Sequence, residues 1–330
     1  MANIQLSPSS SVDQSIGLLI RVSWVRVPPG VPLIILPTLT YISKGPMMVN
    51  KKFDDDRAFN FFPVNDRGAK PRTSGITEIR GPNSLWPVGP NYMEDIFKLY
   101  GYYVDSFKFV GGTYRLIPSD VVKEMIDLCH KYDVMVSTGG FTERVLKGPD
   151  EHLDLYLKEC VDLGFDIVEI SENKISIDYE DIIRVIKKVK EYGLKPKPEV
   201  GVMRSSGYGG DADWAVAKAA KYLEAGAYLI MMESEGITEN SYIGTKGGSA
   251  EGSIDKELWN TGIVTKFINA LGLRNIMFEA AEKAVFTHYI ENYGPGVNLF
   301  IDNSQIAALE GVRSNVFFGP VVENTTTYKG

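Results

Sequence analysis

Residues 164–171 read GFDIVEIS, residues 178–193 read DYEDIIRVIKKVKEYG, and residues 195–201 read KPKPEVG. The outer two segments read as short strands. The middle one reads as an amphipathic helix, opened by Asp178 and stopped by Gly193. Aspartate accepts hydrogen bonds from the free N–H groups at a helix start, and glycine takes the left-handed conformation that ends one. Strand, helix and strand in this order imply a right-handed crossover and a parallel pair.

The same unit recurs along the chain from Gly75. Strands are expected at 75–80, 104–110, 133–138, 165–171, 195–201, 227–233, 275–280 and 297–302, and helices at 91–100, 118–131, 150–163, 178–192, 211–225, 255–271, 282–293 and 303–312. Gly101, Gly164, Gly193, Gly226, Gly272 and Gly294 stand where helices stop, and Pro118, Asp150, Asp178, Asp211 and Asp255 where they start. Eight such units favour an α/β fold closed into a (β/α)8 TIM barrel, for which about 250 residues is usual. An open doubly wound sheet is the alternative. No G-x-G-x-x-G follows the first strand, which counts against a dinucleotide fold.

Side chains alternate between the two faces of a strand. One parity is apolar, as in Phe107 and Phe109, Val168 and Ile170, Ile230 and Met232, Ile276 and Phe278. That parity must cover the helices, so the other points into the barrel. The inward set includes Glu78 and Arg80; Ser106 and Lys108; Ile167, Glu169 and Ser171; Lys195, Lys197 and Glu199; Met231 and Glu233; Met277 and Glu279; Asn298 and Asp302. Barrel enzymes keep their chemistry at the C-terminal ends of the strands. Satisfied ion pairs such as Lys108 with Glu169 are the bland reading for any one residue. For the whole set, burying several carboxylates together is costly unless cations or protons compensate. Arg80, Lys108 and Lys197 are too few, so a Mg2+ ion, which suits oxygen ligands, is expected.

Among 330 residues, 44% are hydrophobic and the net charge is −7. The chain can build a large core, and nothing suggests nucleic-acid or anionic-membrane binding. A few local cations would still hold a small anion. Cys129 and Cys160 lack metal-ligand spacing and read as reduced thiols of a cytoplasmic protein. His130, His152 and His288 fall in helical segments, away from strand ends.

Residues 14–43 are apolar but broken by Arg21, Arg26 and prolines 28, 29, 32 and 37, so they read neither as a membrane span nor as a secretory signal. Residues 1–46 are expected to be a non-native or disordered extension, with Met47 or Met48 as the initiator. Peptides from 1–46 in the native protein's mass spectrum would contradict this. Residues 47–72 read as a polar linker or arm, and 73–330 as the barrel, with a loose tail from about 313. The long loop 234–254 reads as a lid or a disordered segment. Loop 203–210 (MRSSGYGG) offers Arg204 and backbone N–H groups to a phosphate or sulfonate. Ser304, with Asn303 and Gln305, supplies N–H donors at a helix start.

The pieces SFKFVGGT (106–113), VSTGG (136–140), GFDIVEIS (164–171), PEVG (198–201), EAGAYLIMMES (224–234), IMFEA (276–280) and VNL (297–299) resemble the phosphosulfolactate synthases of coenzyme M biosynthesis. GITEIRGP (75–82) and VNLFIDNSQI (297–306) are similar to the plant heat-stress-associated relatives. The likeness spans roughly residues 75–312. It implies a (β/α)8 barrel that adds sulfite to C3 of phosphoenolpyruvate with Mg2+, giving (2R)-phospho-3-sulfolactate. On that resemblance Glu169, Glu199, Glu233 and Glu279 are candidate metal ligands. Lys108 is the candidate proton donor or carboxylate clamp. Arg80 and Arg204 are candidate anion clamps, with Lys197, Asn298 and Ser304 as further substrate contacts. The sequence departs from the family where lysines follow E-V-G, since Val202, Met203 and Arg204 stand here. It also departs at Asp-Lys-Gly, which is Ile79-Arg80-Gly81. A non-catalytic, stress-protective protein, and an enolate or Schiff-base enzyme using Lys108 or Lys197, are the other readings. A homo-oligomer is compatible with all of them.

Overall fold

The computed structural model describes residues 57–316, apart from 63, 66, 84–86, 173–174, 176, 202–211 and 234–260. The expected extension 1–46, the long loop after the sixth strand, and Arg204 therefore lie outside the described residues. The chain divides into two compact units, Met1–Phe61 and Phe62–Gly330. Of the first, residues 57–61 are described, with Phe59 and Phe61 exposed.

The second unit is a closed parallel barrel of eight strands in chain order. They are β1 (Thr77–Arg80), β2 (Ser106–Lys108), β3 (Met135–Ser137), β4 (Ile167–Ile170), β5 (Lys195–Val200), β6 (Ile230–Met232), β7 (Ile276–Glu279) and β8 (Asn298–Asp302). β1 pairs with both β2 and β8, which closes the ring. Each expected strand is present but shorter at its ends. The helices described are α1 (Pro90–Tyr100), α2 (Ser119–Lys131), α3 (Thr142–Val145), α4 (Glu151–Leu163), α5 (Tyr179–Glu191), α6 (Ala212–Glu224), α7 (Thr261–Leu271), α8 (Lys283–Tyr293) and α9 (Ile306–Arg313). None of them is long and apolar enough to cross a membrane.

Among the described residues the helix punctuation holds with two exceptions; the expected starts Asp211 and Asp255 lie outside them. Asp178 caps α5 by accepting from the Glu180 N–H at 2.9 Å, and Gly164 ends α4 in the left-handed region at φ 96°. Asp150 makes no side-chain cap bond. Gly101 keeps right-handed geometry (φ −56°), because the chain runs on into a 3-10 turn, Gly101–Tyr103, instead of reversing. One-turn α3 was not expected, since four residues are too few to show a helical period.

Strand parity sorts the core into two layers. Outward residues such as Ile79, Phe107, Val168, Ile230, Phe278 and Leu299 pack with the helices in the large cluster. Inward residues Ile76, Leu229, Met231, Met277 and Phe300 form a small cluster inside the barrel. Full burial of such side chains stabilises by about 1.5–3 kcal/mol each. Within the barrel these apolar side chains stand beside the inward charges, with Met231 in register with Glu199 and Phe300 with Glu78.

The N-terminal face is closed by residues expected to be a linker. Arg67 donates to Tyr103 O (2.9 Å) and pairs with Glu310 (2.6 Å). Arg72 pairs with Asp105 at 2.8 Å, and Lys70 donates to the carbonyls of Gly101, Tyr132 and Asp133. The polar sequence here therefore reflects a buried ion network and not solvation. Arg313 is also buried, donating to Thr77 Oγ1 (2.6 Å) and Val297 O (2.7 Å).

Candidate active site

A cavity of about 230 Å³ opens at the C-terminal ends of the strands. Arg80, Lys108, Glu169, Glu199, Glu233, Glu279 and Phe300 reach it from seven of the eight strands or their ends, Ser171, Gly111 and Gly140 from the segments above, and Glu143 from α3. The structure thus brings together most of the inward charges that parity selected.

From the cavity wall inward these charges form a chain. Lys197 Nζ lies 2.5 Å from Glu78 Oε2 and 3.1 Å from Glu169 Oε2. Lys108 Nζ lies 2.6 Å from Glu169 Oε1 and 3.8 Å from Glu199 Oε1. Ser106 Oγ donates to Glu78 Oε1 at 3.2 Å. Glu78, Glu169 and Lys197 have no exposed surface. Negative and positive groups alternate, so each buried charge meets an opposite one, the condition for tolerating burial.

The titration of these groups follows their places in the chain. Burial would raise Glu169, but Lys108 and Lys197 outweigh it and draw its carboxyl down to about 2. Burial would lower Lys108, but Glu169, Glu199 and Glu78 together raise it above the ordinary lysine range. Glu199 sits at the end of the chain. Burial first, then Glu169 and Glu233, hold its carboxyl well above the usual carboxylate range.

Arg80 pairs with Glu279 at 2.8 Å and with Asp302 at 2.6 Å, and its side chain stays partly exposed. The Phe300 ring lies between the two cations of the mouth, with Lys108 Nζ 4.2 Å and Arg80 Cζ 4.8 Å from its centroid. Cation–π contact at these distances fixes both heads without consuming their hydrogen bonds.

Several expected roles change. Lys197 is sealed between two carboxylates and cannot touch a ligand. Glu169 has both oxygens facing lysines, which leaves it a poor metal ligand. Asn298 lies at the opposite end of the barrel, where its side chain accepts from Ile76 N (3.0 Å) and donates to Ile276 O (2.9 Å). It ties strands together and binds nothing at the mouth. Ser304 is exposed at the start of the last helical segment and does not line the cavity.

Glu143 was missed. It is 4% exposed and lines the cavity from α3, a helix too short to read from sequence. Cys129 and Cys160 are free and buried, and burial raises both thiols, so neither is a nucleophile. No histidine lines the cavity.

Among the described residues no group of three or more metal-binding side chains is poised around one point. Mg2+ demands less: one or two carboxylates with several waters suffice. Glu199 and Glu233 fit that demand, because both line the cavity and Glu233 lies close enough to add, after burial and Glu169, to the cost of charge on Glu199.

A model of the family described as (2R)-phospho-3-sulfolactate synthase (ComA) matches residues 65–318. The chain is 34% identical to Protein HEAT-STRESS-ASSOCIATED 32 of Arabidopsis thaliana over 276 residues, covering 77% of this chain and 91% of that protein. It is 30% identical to the phosphosulfolactate synthase of Methanothermobacter thermautotrophicus over 260 residues, with 78% and 94% covered. Against the phosphosulfolactate synthase of Methanocaldococcus jannaschii it is 31% identical over 232 residues, with 68% and 86% covered.

Proposed function

Because the chain belongs to the (2R)-phospho-3-sulfolactate synthase family, we propose that it is a carbon–sulfur lyase that joins sulfite to phosphoenolpyruvate with Mg2+. The observation that carries this reading is the asymmetry of charge at the barrel mouth. Two lysines, Lys197 and Lys108, serve the three carboxylates Glu78, Glu169 and Glu199, and Glu233 adds a fourth at the cavity wall beside Glu199. Carboxylates arranged in this way suit a cation and a small anion held on it, and they do not suit an anion alone.

In the proposed reaction the sulfur lone pair of sulfite forms a bond to C3, and the C2–C3 π pair moves toward the substrate carboxylate. Bound by Glu199 and Glu233, Mg2+ would supply positive charge against that carboxylate. Lys108 is assigned to hold the carboxylate and then give its proton to C2, regaining one from solvent. Arg80 is the other cation lining the described cavity, and the planar fork of a guanidinium suits it to clamp the phosphate. Glu169 and Lys197 keep Lys108 in place and charged. Schiff-base chemistry finds little support, since it needs a neutral amine that substrate can reach, whereas Lys108 is raised and Lys197 is sealed.

The test is 31P NMR of phosphoenolpyruvate and sulfite with high enzyme concentration. A phosphosulfolactate resonance that needs Mg2+ and vanishes with EDTA is expected, and Lys108→Ala should lower kcat by about 10²-fold or more. No product at saturating metal would overturn the proposal. It would favour the second reading, a stress-protective role without catalysis, which rests on the 34% identity to the plant protein and on Val202–Met203 where lysines are expected.

A further inference from the structure

We propose that Ser171 recognises an oxygen of the bound substrate, and that Gly140 is bare so that it can. This rests on the cavity being the substrate site. Ser171 directly follows β4 and continues its inward parity after Ile167 and Glu169. Its residue is 2% exposed and lines the cavity, yet its Oγ has no hydrogen-bond partner among the described residues. Buried hydroxyls are normally satisfied, and leaving one unpaired is costly.

The neighbouring hydroxyls show what local structure does when it can. Thr142 Oγ1 donates to Glu169 O at 2.7 Å. Thr138 Oγ1 accepts from Glu169 N at 3.2 Å and donates to Gly139 O at 3.2 Å. Ser171, two residues beyond Glu169, has no such outlet and faces the cavity instead.

Gly140 supplies the second, independent sign. Its backbone does not lie in the left-handed region, unlike that of Gly139 (φ 63°), so conformation does not demand glycine. Space does. A Cβ on Gly140 would stand 3.0 Å from Ser171 Oγ and 3.8 Å from Glu199 Oε1. Any side chain there would crowd the hydroxyl and the oxygen it serves.

Glu143, Glu199 and Glu233 line the same cavity, and as carboxylates they are acceptors when ionised. A neutral donor among them can hold an oxyanion oxygen without adding charge. Carboxylate, phosphate and sulfite share that chemistry, and the test separates them.

Full-length wild type, Ser171→Ala, Gly140→Ala and Ser137→Ala are compared. Ser137 Oγ is also buried and unpartnered but does not line the cavity, so it controls for burial alone. Melting is followed without ligand, and binding of phosphoenolpyruvate, inorganic phosphate and sulfite, each with MgCl2, is followed by calorimetry. Ser171→Ala should melt at the wild-type temperature or up to about 2–4 °C above it, since an unsatisfied group is removed. It should bind the recognised probe about tenfold more weakly, about 1.4 kcal/mol. Gly140→Ala should weaken the same probe, and Ser137→Ala should not. Loss for phosphoenolpyruvate and phosphate together assigns the phosphate, loss for phosphoenolpyruvate alone the carboxylate, and loss for sulfite alone the sulfite. Unchanged affinities, a melting point well below wild type, or no binding of any probe by the wild type would overturn the assignment. If the probes bind but no sulfonate forms, the proposed reaction falls while Ser171 is judged on the binding data.

Discussion

Lys197 shows how one residue can be read correctly in type and wrongly in role. Parity placed it inward, and it is inward, but two carboxylates enclose it with no surface left. Removing it strands Glu78 and half-strands Glu169 in a dry interior. Lys197→Met should therefore cost about 3–5 kcal/mol in chemical denaturation. The double variant Glu78→Leu, Lys197→Met should recover most of that loss, because no unpaired charge remains from the Glu78 pair. Equal losses in the single and double variants would contradict this account. Asn298 gives the complementary lesson. It shares parity with Asp302, yet four residues at about 3.3 Å each separate them by about 13 Å along β8. One lies at the closed end and the other at the mouth. Parity tells a side chain's face and is blind to its height, which depends on how eight strands stagger against one another.

At the level of elements, the segment before β1 changes most on folding. Its arginines and lysine look like a solvated linker in sequence, but they meet Asp105, Glu310 and backbone carbonyls at the base of the barrel. Asp105 takes Arg72 at 2.8 Å, Arg67 at 3.3 Å and the Thr77 N–H at 2.8 Å, so it links the segment to β1. Asp105→Ala should lower stability by about 3–5 kcal/mol and leave substrate affinity unchanged, since the change is at the opposite end from the cavity. A chain starting at Phe62 should melt like the full chain, whereas one starting at Ile76 should melt well below it. Equal melting of the two truncations would show that the segment contributes nothing. The same logic explains the mouth. Glu143 and Gly140 belong to the turn after β3, and an element of one helical turn leaves no periodic trace.

For the molecule as a whole, closure is the decisive event. β1 finds β8 across more than 200 residues of chain, with Thr77 beside Leu299 and Arg80 beside Asp302. The inner cluster draws Ile76, Leu229, Met231, Met277 and Phe300 from both halves. A fragment ending at Gly193 keeps β1–β4 but loses most of that cluster and the β1–β8 and β4–β5 pairings. It should show no cooperative thermal transition by circular dichroism, whereas the full chain should; a cooperative melt of the fragment would refute the dependence on closure. Alternation of strand and helix, glycine stops, and the face of each strand side chain were readable in the residues, because each rests on backbone geometry within a few positions. The closing of the ring and the height of each charge could not be read there. The Lys108–Glu169 pair was readable as one of the inward ion pairs, but the enclosure of Lys197 between Glu78 and Glu169 and the place of Glu199 beside Glu233 were not. These depend on contacts between residues far apart in the chain, and burial makes each charge answer to whichever neighbour the fold brings to it.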